Sequence, residues 1–178
     1  EEFPESALCA VLSSPMIGIN FGGSSEKSVR MLAAASKVLS WNNKTLGKDH
    51  FDSEPSFEES CSLSKVRFDQ TLKMRLRHRA YQTENITYSW ARAALAATDE
   101  VMKNAEKIKI PILICQAGND TLVNNDAQNR FAALIRSAEI IRFPTAKHEI
   151  ANSEDDILEL YWSSVFDFFE NQLKKIKN

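Results

Sequence analysis

The feature that most constrains this chain is an apolar run without alternation, Ile110 to Gln116 (IPILICQ). A strand with one wet face alternates apolar and polar residues. A run that does not alternate suits a strand covered on both faces, as in the parallel sheets of α/β proteins. Pro111 stands near its start, where a strand tolerates proline. Ala7 to Ser13 (ALCAVLS), which stops at Pro15, shares this character, and Glu139 to Phe143 (EIIRF), which ends at Pro144, reads as a third strand.

Helical periodicity fills the intervals. Between Asn125 and Ile135 an apolar stripe of Phe131, Leu134 and Ile135 is expected to face the sheet. A last helix is expected to start at Ser153, capped by its hydroxyl with Asp156 three residues on. Its buried face is predicted to comprise Ile157, Leu160, Tyr161, Val165, Phe168, Phe169 and Leu173, and Lys174, Lys175 and Lys177 suit its carboxyl end. This order implies right-handed β-α-β units over residues 107–178. Residues 16–106 break the rhythm. They carry helical patterns at Glu26 to Trp41, Ser64 to Arg79 and Thr87 to Glu106, the last with Trp90, Ala94, Ala97 and Val101 on one face. A polar, acidic stretch from Asn42 to Ser62 includes Asp49, Asp52, Glu54, Glu58 and Glu59. The whole segment reads as a largely helical insertion over the sheet. Three strands are too few for a doubly wound sheet, so further strands are expected upstream of Glu1.

Composition excludes several classes. The chain of 178 residues suits one domain, and 22 basic against 24 acidic residues provide no electrostatic footprint for nucleic acid. No apolar run approaches the ~20 residues of a membrane-spanning helix. Cys9, Cys61 and Cys115 are odd in number and lack C-x-x-C spacing, so neither a disulfide framework nor a zinc site is indicated. That points to a reducing, cytoplasmic location. His50, His78 and His148 form no ligand spacing, and no metal or cofactor is implied.

Chemistry concentrates in two loops. Gln116-Ala117-Gly118-Asn119-Asp120 follows one predicted strand, and Pro144-Thr145-Ala146-Lys147-His148-Glu149 follows the next. In a parallel sheet both emerge at the same carboxyl edge, where sites are built. Asp120 and His148 there can hydrogen-bond, the carboxylate fixing the imidazole tautomer and stabilising the imidazolium formed during proton transfer. An Asp after Gly-Asn also serves as a turn or cap residue, so spacing leaves a structural role open.

Pro111 to Asn125 (PILICQAGNDTLVNN) resembles the acid-loop motif of lysophospholipases and monoacylglycerol lipases, in which a buried strand runs into Q-(A/G)-x-x-D. Asn129-Arg130-Phe131 and Phe143 to Ile150 (FPTAKHEI) look like the same family's helix and histidine loop. Ala10 to Ile19 (AVLSSPMIGI) resembles the strand and S-P-M turn that follow the nucleophile helix. Ser62 to Phe68 (SLSKVRF) and Thr87 to Trp90 (TYSW) are similar to cap-region motifs of the bacterial lysophospholipase branch. The likeness covers nearly the whole chain in order. It implies the C-terminal part of an α/β-hydrolase parallel sheet (serine aminopeptidase S33-like) with a largely helical cap insertion. Asp120 and His148 then become the acid and base of a Ser-His-Asp triad, in the chain order of α/β-hydrolases.

The departure from the family is the nucleophile. No G-x-S-x-G is present; Gly22-Gly23-Ser24-Ser25 does not fit that elbow, and it follows the Ala7 strand instead of preceding it. The resemblance therefore puts the serine, and the N-terminal half of the same hydrolase as a partner, upstream of Glu1. The implied activity is hydrolysis of a lipid ester, a lysophospholipid or monoacylglycerol, by acyl-enzyme chemistry. The rivals are a non-catalytic binding module and a peptidase or haloperoxidase-like branch. Met16, Ile17 and Trp90 are candidates to line an acyl pocket. The basic cluster Lys73 to Arg79 (KMRLRHR) reads either as a solvated helix face or as peripheral contact with an anionic membrane surface.

Overall fold

The computed structural model describes residues 7–46, 50–83 and 85–177. Asp49 of the acidic stretch lies outside them. The three apolar runs form one parallel sheet in the order β1 (Ala10–Ser13), β2 (Ile112–Ala117), β3 (Ala138–Phe143). Leu12, Ile114 and Ile140 stand in register across it. All positions of β2 are buried, because it is central and covered on both faces, which explains the missing alternation.

Alternate residues of β2 feed two cores. Leu113, Cys115 and Ala117 pack with Phe143 and with Tyr161, Val165 and Phe168 of α5 (Asp155–Lys177). Ile112 and Ile114 pack on the opposite face with Ile17, Ala105, Ile135 and with Ala127 and Phe131 of α4 (Asn125–Leu134). A parallel pair needs a crossover, and α4 supplies the one from β2 to β3. The crossover from β1 to β2 carries α1 (Glu26–Val38), α2 (Lys65–Arg77) and α3 (Tyr88–Asn104). Side-chain caps start three of the helices: Ser25 Oγ accepts from Ser28 N at 3.1 Å, Thr87 Oγ1 from Trp90 N at 3.2 Å and Asn124 Oδ1 from Ala127 N at 3.0 Å. α1 packs on α3, with Arg30 held bidentately by Asp99 at 2.7–2.8 Å. α2 buries no residue of its own and is tied instead to the loop after β3. Among the described residues no helix is long and apolar enough to cross a membrane.

Several expected faces differ. Ser153 does not cap α5: Ile150–Asn152 form a 3-10 turn, the helix begins at Asp155, and Ser153 Oγ is buried without a hydrogen-bond partner. Leu134, at the end of α4, is exposed while Phe131 and Ile135 are buried. On α3 the buried stripe is Ala94, Leu95 and Thr98, with Trp90, Ala97 and Val101 outside it. On α5 Leu160 and Leu173 are exposed, and Phe169 is marginally so. α1 stops at Val38, short of Trp41, and Ser40 turns the chain with φ 56°. The basic cluster is not one helix face, since α2 ends at Arg77, His78 is extended and Arg79–Tyr81 form a 3-10 turn.

Candidate active site

The loops after β2 and β3 are zipped together by backbone. Gly118 N donates to Phe143 O at 2.9 Å, Asn119 N to Ala146 O at 2.9 Å, and Asn119 Nδ2 to Thr145 O at 3.2 Å. Gly118 lies so close to Pro144 that a Cβ would overlap its backbone carbonyl, which is why the acid loop needs a glycine here. Behind the loops, Gln116 Nε2 donates to Gln128 Oε1 and Asn129 Oδ1 at 3.1 and 3.2 Å, and Gln116 Oε1 accepts from Arg142 Nε at 3.2 Å. Asn125 Nδ2 donates to Ala117 O at 2.8 Å, and Gln128 Nε2 to Pro15 O at 3.0 Å. This polar network, in which Asn125 Oδ1 alone of the side-chain polar atoms is buried without a partner, ties the carboxyl ends of all three strands to α4.

On that frame Asp120 and His148 meet, their Oδ2 and Nδ1 atoms 2.8 Å apart. The other carboxylate oxygen accepts from Leu122 N at 2.9 Å and Val123 N at 3.0 Å, so the carboxylate cannot rotate without abandoning two amides. The Asp120 side chain is fully buried, while that of His148 is 28% exposed. A buried carboxylate facing Nδ1 favours the tautomer protonated there, which leaves Nε2 with its lone pair as a base.

The histidine loop is also strapped from outside. Lys147 Nζ donates to Glu58 O at 2.9 Å and Ser60 O at 2.8 Å, and Glu149 N donates to Cys61 O at 3.0 Å. Asn152 O accepts from Ser62 Oγ, Leu63 N and Ser64 N at 2.8–3.2 Å, and Arg67 reaches Ser153 O at 2.9 Å and Asp155 at 2.5 Å. His148 is thus held on both sides by the segment leading into α2. Sequence reasoning did not find this strap; the S-L-S-K-V-R-F run was its only trace.

Cys61 and Cys115 are poorly placed as nucleophiles. Burial, and then the charges of Glu149 and Asp120, push the Cys61 thiol up. Burial pushes Cys115 up to about 11. A thiol is nucleophilic as its thiolate, which these surroundings suppress. Among the described residues no group of His, Cys, Asp and Glu side chains is arranged to hold a metal ion.

The acyl-pocket candidates differ in burial. Ile17 is 7% exposed and belongs to the core under α4; its remaining surface lines a cavity of about 130 Å³ shared with the charged side chains of Arg30, Asp99 and Arg130. Such surroundings do not suit a hydrocarbon chain. Met16 and Trp90 are exposed, the latter on the first turn of α3.

Comparison with known proteins bears on the family and the fold. The probable lysophospholipase L2 of Haemophilus influenzae is 26% identical over 166 residues, covering 92% of this chain and 52% of that protein. The chain spans about half the length of the curated relatives it matches. The crystal structure of the monoacylglycerol lipase of Paleococcus ferrophilus superposes with a TM-score of 0.69 at 19% identity, over 96% of this chain and 62% of that one. A soluble variant of the monoglyceride lipase of Saccharomyces cerevisiae, in complex with a substrate analog, gives 0.61 at 14% identity, over 93% and 55%. These likenesses show the α/β-hydrolase fold, of which the sheet and helices described here are a part. The family model for serine aminopeptidase, S33, matches residues 2–155, and the chain belongs to that family of α/β-hydrolases.

Proposed function

We propose that this chain is the acid-and-histidine portion of a serine carboxylic-ester hydrolase acting on a lysophospholipid or monoacylglycerol. The observation that carries the reading is the Asp120–His148 pair, fixed at the carboxyl edge of a parallel sheet with its imidazole partly open to solvent. In this reading a serine on an elbow upstream of Glu1 is the nucleophile. His148 Nε2 takes its proton as the hydroxyl attacks the ester carbonyl, then returns it to the departing alcohol. In the second half of the cycle it activates water to release the fatty acid. Asp120 orients the ring and stabilises its imidazolium. This chemistry needs no cofactor. The helical segment between β1 and β2 is the cap, and exposed Met16 and Trp90 are its contacts for an acyl chain. We further place the protein in the cytoplasm. Peripheral membrane contact would run through Arg77 and Arg79, which stand among exposed Met74, Leu76 and Tyr81.

The test uses the full-length protein. It should turn over a short-chain p-nitrophenyl ester, a lysophospholipid and a monoacylglycerol, all abolished by a fluorophosphonate that labels the upstream serine. Residues 1–178 expressed separately should hydrolyse none of them, because His148 acts only on a hydroxyl within ~3 Å. Turnover of an aminoacyl p-nitroanilide without any ester would move the protein to a peptidase role. Probe labelling of a serine inside this chain would overturn the assignment of the nucleophile.

A further inference from the structure

Beside the histidine loop a cleft of about 350 Å³ opens between the 52–61 segment, α2 and Glu149. That volume falls within the ~300–1,000 Å³ typical of small-molecule sites. We propose that it is a subsite for a zwitterionic phosphodiester headgroup, with Arg75 meeting the phosphate and the carboxylates of Glu59 and Glu149 meeting the ammonium. This rests on the ester-hydrolase reading and assigns the leaving-group side of the same site.

Position comes first. Cys61 and Glu149 both stand in the cleft wall; Glu149 directly follows His148, and its amide donates to Cys61 O at 3.0 Å. The cleft therefore opens beside the histidine loop, one residue along the chain from His148. The headgroup of a lysophospholipid is joined to the scissile ester through a single glycerol unit, so a headgroup site belongs next to the loop that carries the base.

Charge comes second. Arg75 is half-buried, its guanidinium 4.9 Å from the centre of the Phe51 ring. Its hydrogen bonds are long and go to neutral acceptors, from Nε to Tyr81 O at 3.3 Å and from Nη2 to Thr83 Oγ1 at 3.5 Å. Among the described residues it makes no ion pair, although Asp52 and Glu59 line the same cleft. Arg30 and Arg67 differ, their charges being taken up by Asp99 and Asp155. Arg75 is thus oriented by stacking and by neutral acceptors while its charge is left for an incoming anion, and a planar guanidinium suits two phosphate oxygens at once.

The remaining wall selects among anions. The carboxylates of Glu59 and Glu149 outnumber the single guanidinium, so a phosphate monoester carrying close to two negative charges is repelled. A neutral glycerol offers Arg75 nothing. A phosphodiester with a tethered ammonium satisfies both signs, and Phe68 adds an aromatic wall for the ammonium and its methylenes.

The experiment compares full-length protein on oleoyl lysophosphatidylethanolamine, lysophosphatidic acid and monooleoylglycerol in matched micelles. The first should exceed both others in kcat/KM by about tenfold or more. Arg75→Gln should lower the ratio of lysophosphatidylethanolamine to monooleoylglycerol about tenfold, mainly through KM, and Arg75→Lys should lower it less. Glu59→Gln should raise lysophosphatidic acid relative to lysophosphatidylethanolamine. Lys37→Gln, an exposed cation on α1, should leave every ratio as it was. Independently of turnover, glycerophosphoethanolamine titrated into the wild-type protein should shift the Arg75 Nε–H resonance, and glycerol should not. A folded Arg75→Gln variant with an unchanged ratio, or an unmoved Arg75 resonance, overturns the proposal. Ester turnover without headgroup discrimination sinks the subsite and leaves the hydrolase reading standing. Headgroup-induced shifts without ester turnover do the reverse.

Discussion

Replacing Asp120 by Asn changes one atom and should invert the proton arrangement of His148. In the wild type one carboxylate oxygen accepts from the amides of Leu122 and Val123 and the other faces His148 Nδ1. An asparagine in the same pose can keep both amides satisfied only by presenting its carbonyl oxygen to them. Turning its NH2 toward them would leave both amides without that acceptor, at about 1–3 kcal/mol for the part-buried Val123 N–H and less for the exposed Leu122 N–H. The NH2 group is therefore forced toward Nδ1, which must accept, and the ring proton moves to Nε2. A base with its proton already in place cannot deprotonate a hydroxyl, so under the proposed function kcat of the full-length protein should fall by up to ~10⁴. Folding should suffer much less, because a charge-assisted hydrogen bond is exchanged for a neutral one at a cost of about 1 kcal/mol. The assays are steady-state ester turnover, nitrogen-detected NMR of the His148 ring to read the tautomer, and denaturant unfolding. Asp126→Asn, an exposed change on the first turn of α4, serves as the comparison and should leave turnover near wild type. Asp120→Asn turnover within about tenfold of wild type would refute the catalytic assignment, as would a ring still protonated at Nδ1.

Gly118→Ala should destabilise the fold by about 1–3 kcal/mol, since its Cβ overlaps the Pro144 backbone and must drive the acid and histidine loops apart; an unchanged denaturation midpoint would contradict that packing. Burial holds the Cys115 thiol protonated until about pH 11, so at pH 8 a thiol reagent should leave it unmodified in the folded chain and react after unfolding. Cys61, only partly buried, should react first, and the opposite order would show the core to be more open than described. Changing Arg77 and Arg79 to Gln should weaken binding to anionic vesicles, most visibly at low salt. Equal binding by sedimentation would make those arginines an ordinary solvated surface.

Much of the fold was legible because it rests on local patterns. The unbroken apolar run of β2 announced a strand covered on both faces, and its six positions are buried. Chain order placed Asp120 and His148 after consecutive strands, and parallel pairing then brings their loops to one edge. Helical spacing was also readable, but the orientation of each stripe was not. On α3, Ala91, Ala93, Ala94, Ala96 and Ala97 surround much of the helix with small apolar side chains, so periodicity cannot choose a face. Packing against α1 chose Ala94, Leu95 and Thr98. Ser153 had a capping pattern, yet the turn at Ile150–Asn152 delayed the helix and buried the hydroxyl.

The sequence by itself determined the class of sheet, the two loops and the pair of residues they carry, because these depend on burial patterns and order along the chain. Only the tertiary structure decided that Gly118 must lie against Pro144, that Lys147 is held by the carbonyls of Glu58 and Ser60, and that Arg75 faces a cleft with Glu149. Those contacts join residues far apart in the chain through backbone carbonyls and shared space. A carbonyl is the same at every position, so the residue string carries no mark of which one will be used.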